Sequence, residues 1–122
     1  MLRDALIQWL QEDRVLAGEL TPTQEGRSAW VGIYPLKLNR QGTHSLLRRH
    51  GLVVLPGADV HVYRISTFEI ADSLRETYFS EQDMENKQSF IVLGDDALFE
   101  KLKDLGISPE ILDSPARVDY PL

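Results

Sequence analysis

Apolar residues in this chain follow two rhythms, and the alternation between them constrains the fold more than any motif does. At the start, Leu2, Ala5, Leu6, Trp9 and Leu10 stand at i, i+3, i+4, i+7 and i+8, one stripe on a 3.6-residue period that predicts an amphipathic helix over residues 2–14. Further along, apolar and β-branched residues come in short runs at 28–34, 52–55, 60–65 and 90–93, bounded by glycine, proline, serine and aspartate, which reads as strands. A chain that mixes both rhythms in one compact unit needs helices laid on a sheet.

The punctuation supplies the boundaries. Residues 17–27 carry Gly18, Pro22 and Gly26 and read as a surface loop. Pro35 is expected to end the strand at 28–34. Thr43 suits the start of a short helix through Leu46 and Leu47, closed after His50 by Gly51. The runs at 52–55 and 60–65 flank Pro-Gly-Ala-Asp and predict a hairpin. Ser66 and Glu69 match a capping box, with Ile70, Ala71, Leu74 and Tyr78 continuing a helix behind it. A polar loop at 80–88 then leads to a buried strand at 90–93. Asp95 or Asp96 is expected to cap a final helix through Leu98, Leu102 and Leu105, closed by Gly106. Ser108-Pro109-Glu110 fits one more helical turn, and an extended tail from Asp113 completes the chain. The expected fold is α+β: a single-layer, mostly antiparallel sheet of three to four strands packed against helices, in one domain over residues 1–122.

Composition excludes several function classes. The 122 residues include no cysteine, which removes thiol nucleophiles, Fe–S clusters and Cys-ligated zinc. The first 14 residues interleave charges with apolar positions, and no apolar run approaches the roughly 20 residues that span a bilayer, so no membrane attachment and a cytoplasmic location are expected. No phosphate-binding glycine loop, nucleophile elbow or HExxH pair occurs. His44 and His50 fall on different faces of a helix. His61 shares a strand side with Tyr63 and Ile65. Glu81, Asp83 and Glu85 alternate as calcium ligands do, but the sixth and twelfth loop positions hold Asn86 and Val92, without the glycine and glutamate that a calcium loop requires. No catalytic residues, metal or cofactor are expected.

Charge is divided unequally. Residues 1–67 hold eight Lys+Arg against six Asp+Glu, whereas residues 68–122 hold five against thirteen, for an overall net charge of −6. Glu69, Asp72 and Glu76 recur at helical spacing and predict an outward acidic ridge, extended by Glu81, Asp83 and Glu85. Trp30, Tyr34, Tyr78 and Phe79 are the candidate aromatic anchors of a docking surface. These features point to a small acidic protein-binding module without enzymatic activity and without direct contact to nucleic acid. Such a module neutralises a basic protein partner, as an immunity protein or antitoxin does when it inhibits a nuclease toxin domain. The alternative is a small-ligand binder or enzyme in which Arg40, Arg48, Arg49 and His50 hold a phosphate or carboxylate group.

Overall fold

The computed structural model describes residues 2–38, 41–54, 60–74 and 81–122. It is an α+β fold built on one four-stranded antiparallel sheet in the order β1-β2-β3-β4. Helix α1 (Arg3–Gln11) precedes β1 (Leu16–Leu20) and β2 (Arg27–Leu36). Helix α2 (Gln41–Arg49) precedes β3 (Val62–Ala71) and β4 (Glu85–Leu93), and α3 (Asp95–Asp104) follows.

The β2–β3 ladder is ten residues long, running from Arg27↔Ala71 to Leu36↔Val62, and alternation sends its side chains to two faces. One face carries Val31, Ile33, Tyr63 and Ile65, with Leu16 from β1. Leu6 and Leu10 of α1 and Leu98 and Leu102 of α3 cover it, and together they form the larger core. The other face carries Trp30, Phe68 and Ile70 beneath Tyr120. There the chain end lies against the strands: Trp30 donates its indole N–H to the Val118 carbonyl at 3.0 Å, and the hydroxyls of Tyr34 and Tyr120 hydrogen-bond each other. The close approach is possible because position 32 is glycine. A Cβ there would stand 2.2 Å from the Tyr120 hydroxyl and 2.9 Å from the Tyr34 ring.

Several boundaries depart from the sequence reading. Helix α1 stops at Gln11 because Asp13 takes a left-handed turn, φ 65°. Residues 16–20 form a strand and not a loop. Gly18 is small because Ile111 packs on it, with a Cβ due to lie 3.0 Å from the Ile111 side chain, and Ala17 exchanges backbone hydrogen bonds with Asp113 at 2.9 Å. Pro35 does not end β2: it stands in register with Tyr63, past the point where β1 begins opposite Ile33, so one side of the ladder is already open there. Of the expected hairpin, residues 52–54 form no strand, since the Leu52 amide closes α2 on the Leu47 carbonyl at 2.9 Å. Residues 55–59 lie outside the described residues.

The largest correction concerns the expected helix from Ser66. That segment is the second half of β3, where Ser66 pairs Gly32 and Ser89, and a short turn, Asp72–Leu74, follows it. Both faces of this strand are buried, so its apolar spacing mimics a helical stripe. The expected loop at 80–88 is a turn (Glu81–Asp83) and the start of β4. Residues 85–89 are exposed, because β4 is an edge strand, and their polarity reflects that position.

Helix α3 begins at Gly94, with no side-chain cap bond; Asp95 and Asp96 make other contacts. Its end is closed as expected: Gly106 at φ 72° gives its amide to Lys103, and Ile107 gives its amide to Leu102, the double bond of a Schellman closure. The turn at Pro109–Ile111 forms, with the Ser108 hydroxyl accepting from the Glu110 amide. The tail is not extended throughout, since Pro115–Val118 makes another turn before Tyr120.

The contact between Gly32 and Tyr120 generates a prediction. Burial pushes the Tyr120 phenol well above its ordinary value of 10, the Tyr34 hydroxyl pushes it further, and Arg64 opposes in part. Because the folded value is raised, this contribution to stability is complete below pH 10 and is lost as the pH rises beyond it. Gly32→Ala forces the tyrosine off the sheet, so it should cost about 1–3 kcal/mol in urea unfolding. Ultraviolet titration should then show one additional tyrosine ionising near pH 10.

Candidate functional site at the acidic end of the sheet

Antiparallel order brings the end of β1, the start of β2, the end of β3 and the start of β4 to one end of the sheet. Glu69 and Glu85 stand in these strands and Glu25, Asp72 and Asp83 in the turns that adjoin them, against Arg27 and Lys87 among the described residues. Four carboxylates of the sequence reading thus come together, and the turn that begins at Glu81 joins them. They meet at strand ends, not along a helix. The acidic ridge is therefore corrected: Glu69 is only 4% exposed, and Asp72 accepts a hydrogen bond from the Ser28 hydroxyl. Glu76, Tyr78 and Phe79 lie outside the described residues.

Glu69 is the centre of this end. Its Oε1 accepts from the Thr23 amide at 2.8 Å, its Oε2 accepts from the Asn86 side-chain amide, and the Thr23 hydroxyl lies 3.1 and 2.9 Å from the two oxygens. Two backbone features aim these donors. The Asp72 amide bonds the Gly26 carbonyl at 2.8 Å and ties the β1–β2 loop down. In β4, Asn86 adopts φ 51° at a bulge, where the register slips between Thr67 and Glu69 and two residues oppose one. Asparagine tolerates that conformation better than most residues. Burial pushes the Glu69 carboxyl upward, but hydrogen bonds from Asn86 and Thr23 and the charge of Arg27 outweigh it, leaving the group below its ordinary 4.5. It is ionised at neutral pH.

Beside Glu69 the helix-covered face of the sheet is open. A groove of about 520 Å³ has Ala29, Thr67 and Gln88 on its floor, Thr23 and Asn86 at one wall, and the C-terminal end of α3 at the other. Among the described residues no lysine or arginine lines it, and Glu69 is the one charged residue that does. In the last turn of α3, Lys101 stacks on Phe90, 4.2 Å from the ring centre, and Lys103 lines an adjoining cleft that shares Gly106 and Ile107 with the groove.

The other candidate residues are used elsewhere. Trp30 is 1% exposed and belongs to the core. Tyr34 is half-buried against Tyr120. Neither is an exposed anchor, because the C-terminal segment covers their face. At the far end of the sheet, His44 gives its Nε2–H to the Leu38 carbonyl at 2.6 Å, while Arg48, Arg49 and His50 are exposed. Arg40 lies outside the described residues. A cavity of about 440 Å³ at that end is lined by Lys37, His61 and Tyr63, among others, and by none of Arg48, Arg49 and His50.

Two arrangements were not read from the sequence. Thr23 and Asn86 were missed as partners of Glu69; the one signal was an asparagine amid charged residues near a strand start. Asp95 was read as a cap, yet its carboxylate accepts from His61 Nδ1 at 3.0 Å and from the Tyr63 hydroxyl. Burial raises the Asp95 carboxyl, and the bonds from Tyr63 and His61, with the charges of His61 and Arg3, bring it below its ordinary value. Asp96 pairs with Arg3. Among the described residues no group of three or more histidines and carboxylates would hold a metal, and no helix is long and apolar enough to cross a membrane.

Comparison of the chain with protein-family models, curated proteins and solved structures gave no match.

The hydrogen bonds of Glu69 set the sign of a pH effect. A carboxylate held below its ordinary value adds stability above about pH 4.5 that is lost as the pH falls through the lower folded value. Glu69→Gln removes the charge and leaves one of its donors facing an amide N–H. It should cost about 1–3 kcal/mol at pH 7, and the deficit relative to the parent should shrink as urea unfolding is repeated at successively lower pH below 4.5.

Proposed function

We propose that this chain is a protein-binding module that captures a cationic protein through the acidic end of its sheet. The observation that carries this reading is the groove beside Glu69: it opens onto an ionised, nearly buried carboxylate, and among the described residues no lysine or arginine lines it. The hydrogen bonds of Thr23 and Asn86 and the charge of Arg27 hold that carboxylate ionised, so it offers a fixed negative charge to whatever enters the groove. The exposed Glu25 and Glu85 nearby add long-range attraction for a positive surface, which speeds encounter and makes it sensitive to salt. Proteins whose positive groups hold nucleic-acid phosphates are the partners such a surface fits. Within that class we place the chain as an inhibitor of a nuclease toxin, acting as an immunity protein or antitoxin does: its carboxylates occupy the cations that the toxin needs for its substrate.

Immobilised protein exposed to a native-host lysate at low salt should retain a basic protein, identified by mass spectrometry. Glu25→Lys with Glu85→Lys should weaken capture more than tenfold, about 1.4 kcal/mol or more, with the unfolding midpoint nearly unchanged. About 0.5 M salt, where screening reaches only a few ångströms, should release the partner. Retention that ignores both salt and charge reversal would overturn the proposal.

A further inference from the structure

We infer that the groove beside Glu69 is a receptor for one lysine side chain of the partner, an inference that rests on the binding-module reading above. Two features on opposite sides of the groove favour a cation independently. One is the Glu69 carboxylate. The other is the end of α3, where Leu105 and Gly106 line the groove and the helix dipole presents its negative pole. The Schellman closure uses the carbonyls of Leu102 and Lys103 and leaves those nearer the helix end as acceptors.

The chemistry of Glu69 selects between the two cationic side chains. A carboxylate has about four acceptor sites. The Thr23 amide occupies one on Oε1 and the Asn86 amide one on Oε2, and the Thr23 hydroxyl donates to a third. One site remains, so a guanidinium cannot form its two parallel bonds without displacing Asn86 or Thr23. An ammonium is a compact point charge with three donors, and it uses one acceptor from each of several groups. Residues that carry such acceptors line the groove: Glu69, Gln88, Thr67 and, at the end of α3, Leu105 and Gly106. Arg27 acts on Glu69 through its charge but lines no part of the groove, so it leaves room for the incoming ammonium.

The test uses three blocked amino acids as probes on the full chain: N-acetyl-lysine methylamide, its arginine counterpart and the neutral norleucine counterpart. Two-dimensional nitrogen–proton NMR follows the amides of Thr23, Gln88 and Gly106 and the side-chain amide of Asn86. The lysine probe should shift these signals, at least fivefold more tightly than the arginine probe, and norleucine should leave them unmoved. Glu69→Gln should abolish the shifts. Gln88→Lys alters an exposed edge position and provides a second variant that keeps the fold; its own ammonium should occupy the groove and exclude the probe. Equal or tighter binding of arginine, shifts confined to the surroundings of Glu25 and Glu85, or unchanged binding to Gln88→Lys would each overturn the inference. If the probe ignores the groove while a basic partner is still captured by charge, the lysine receptor fails and the binding module stands. If the probe binds and no cationic partner is captured, the reverse holds.

Discussion

A ten-residue antiparallel ladder between β2 and β3 buries side chains on both faces, and each face must find a cover. The helices α1 and α3 lie on one, and the C-terminal segment with Tyr120 lies on the other. The two covers are unequal. Tyr120 reaches the sheet because Gly32 has no side chain, while the helices leave the Ala29–Thr67 end of their face open. The groove is the part of the ladder that the helices do not reach.

What stands in that uncovered part decides what it can do. Strand β3 carries Glu69 where alternation would otherwise place an apolar residue, since Tyr63 and Ile65 precede it on the same face. Hydrogen bonds from Thr23 and Asn86 and the charge of Arg27 keep it ionised, and the β4 bulge places Asn86 to give one of those bonds. On the proposed function, a site assembled from backbone irregularity and a buried carboxylate would select positive charge by geometry as well as by field. At the end with Glu69, five carboxylates stand against Arg27 and Lys87 among the described residues, while Asp95 and Asp96 at the other end are engaged by His61, Tyr63 and Arg3.

Much of the architecture was legible in the sequence, and the failures share a cause. The α+β class, α1, α3 with its Gly106 closure, the closure of α2 at Gly51 and the turn after Ser108 follow from local signals, and local bonds form them. Strand β1, the second half of β3 and the start of β4 were misread because tertiary contacts determine them. Gly18 signals a turn only until Ile111 is known to sit on it. Ser66 and Glu69 fit a capping box, yet the carboxylate bonds Thr23, 46 residues away. A strand buried on both sides offers no period-two alternation to detect. The gathering of carboxylates in the C-terminal half was readable from charge alone. Their placement at one end of a sheet required the register.

On the proposed function, the Glu69 end of the sheet receives the partner. Amide hydrogen exchange on the captured complex, compared with the free chain, measures this directly. Docking at this end should slow exchange in three stretches that meet only in the folded protein: Thr21 to Thr23, Asn86 to Gln88 and Leu105 to Ile107. Slowed exchange confined to α2 and the region of Lys37 and His61, with those three stretches unchanged, would contradict it.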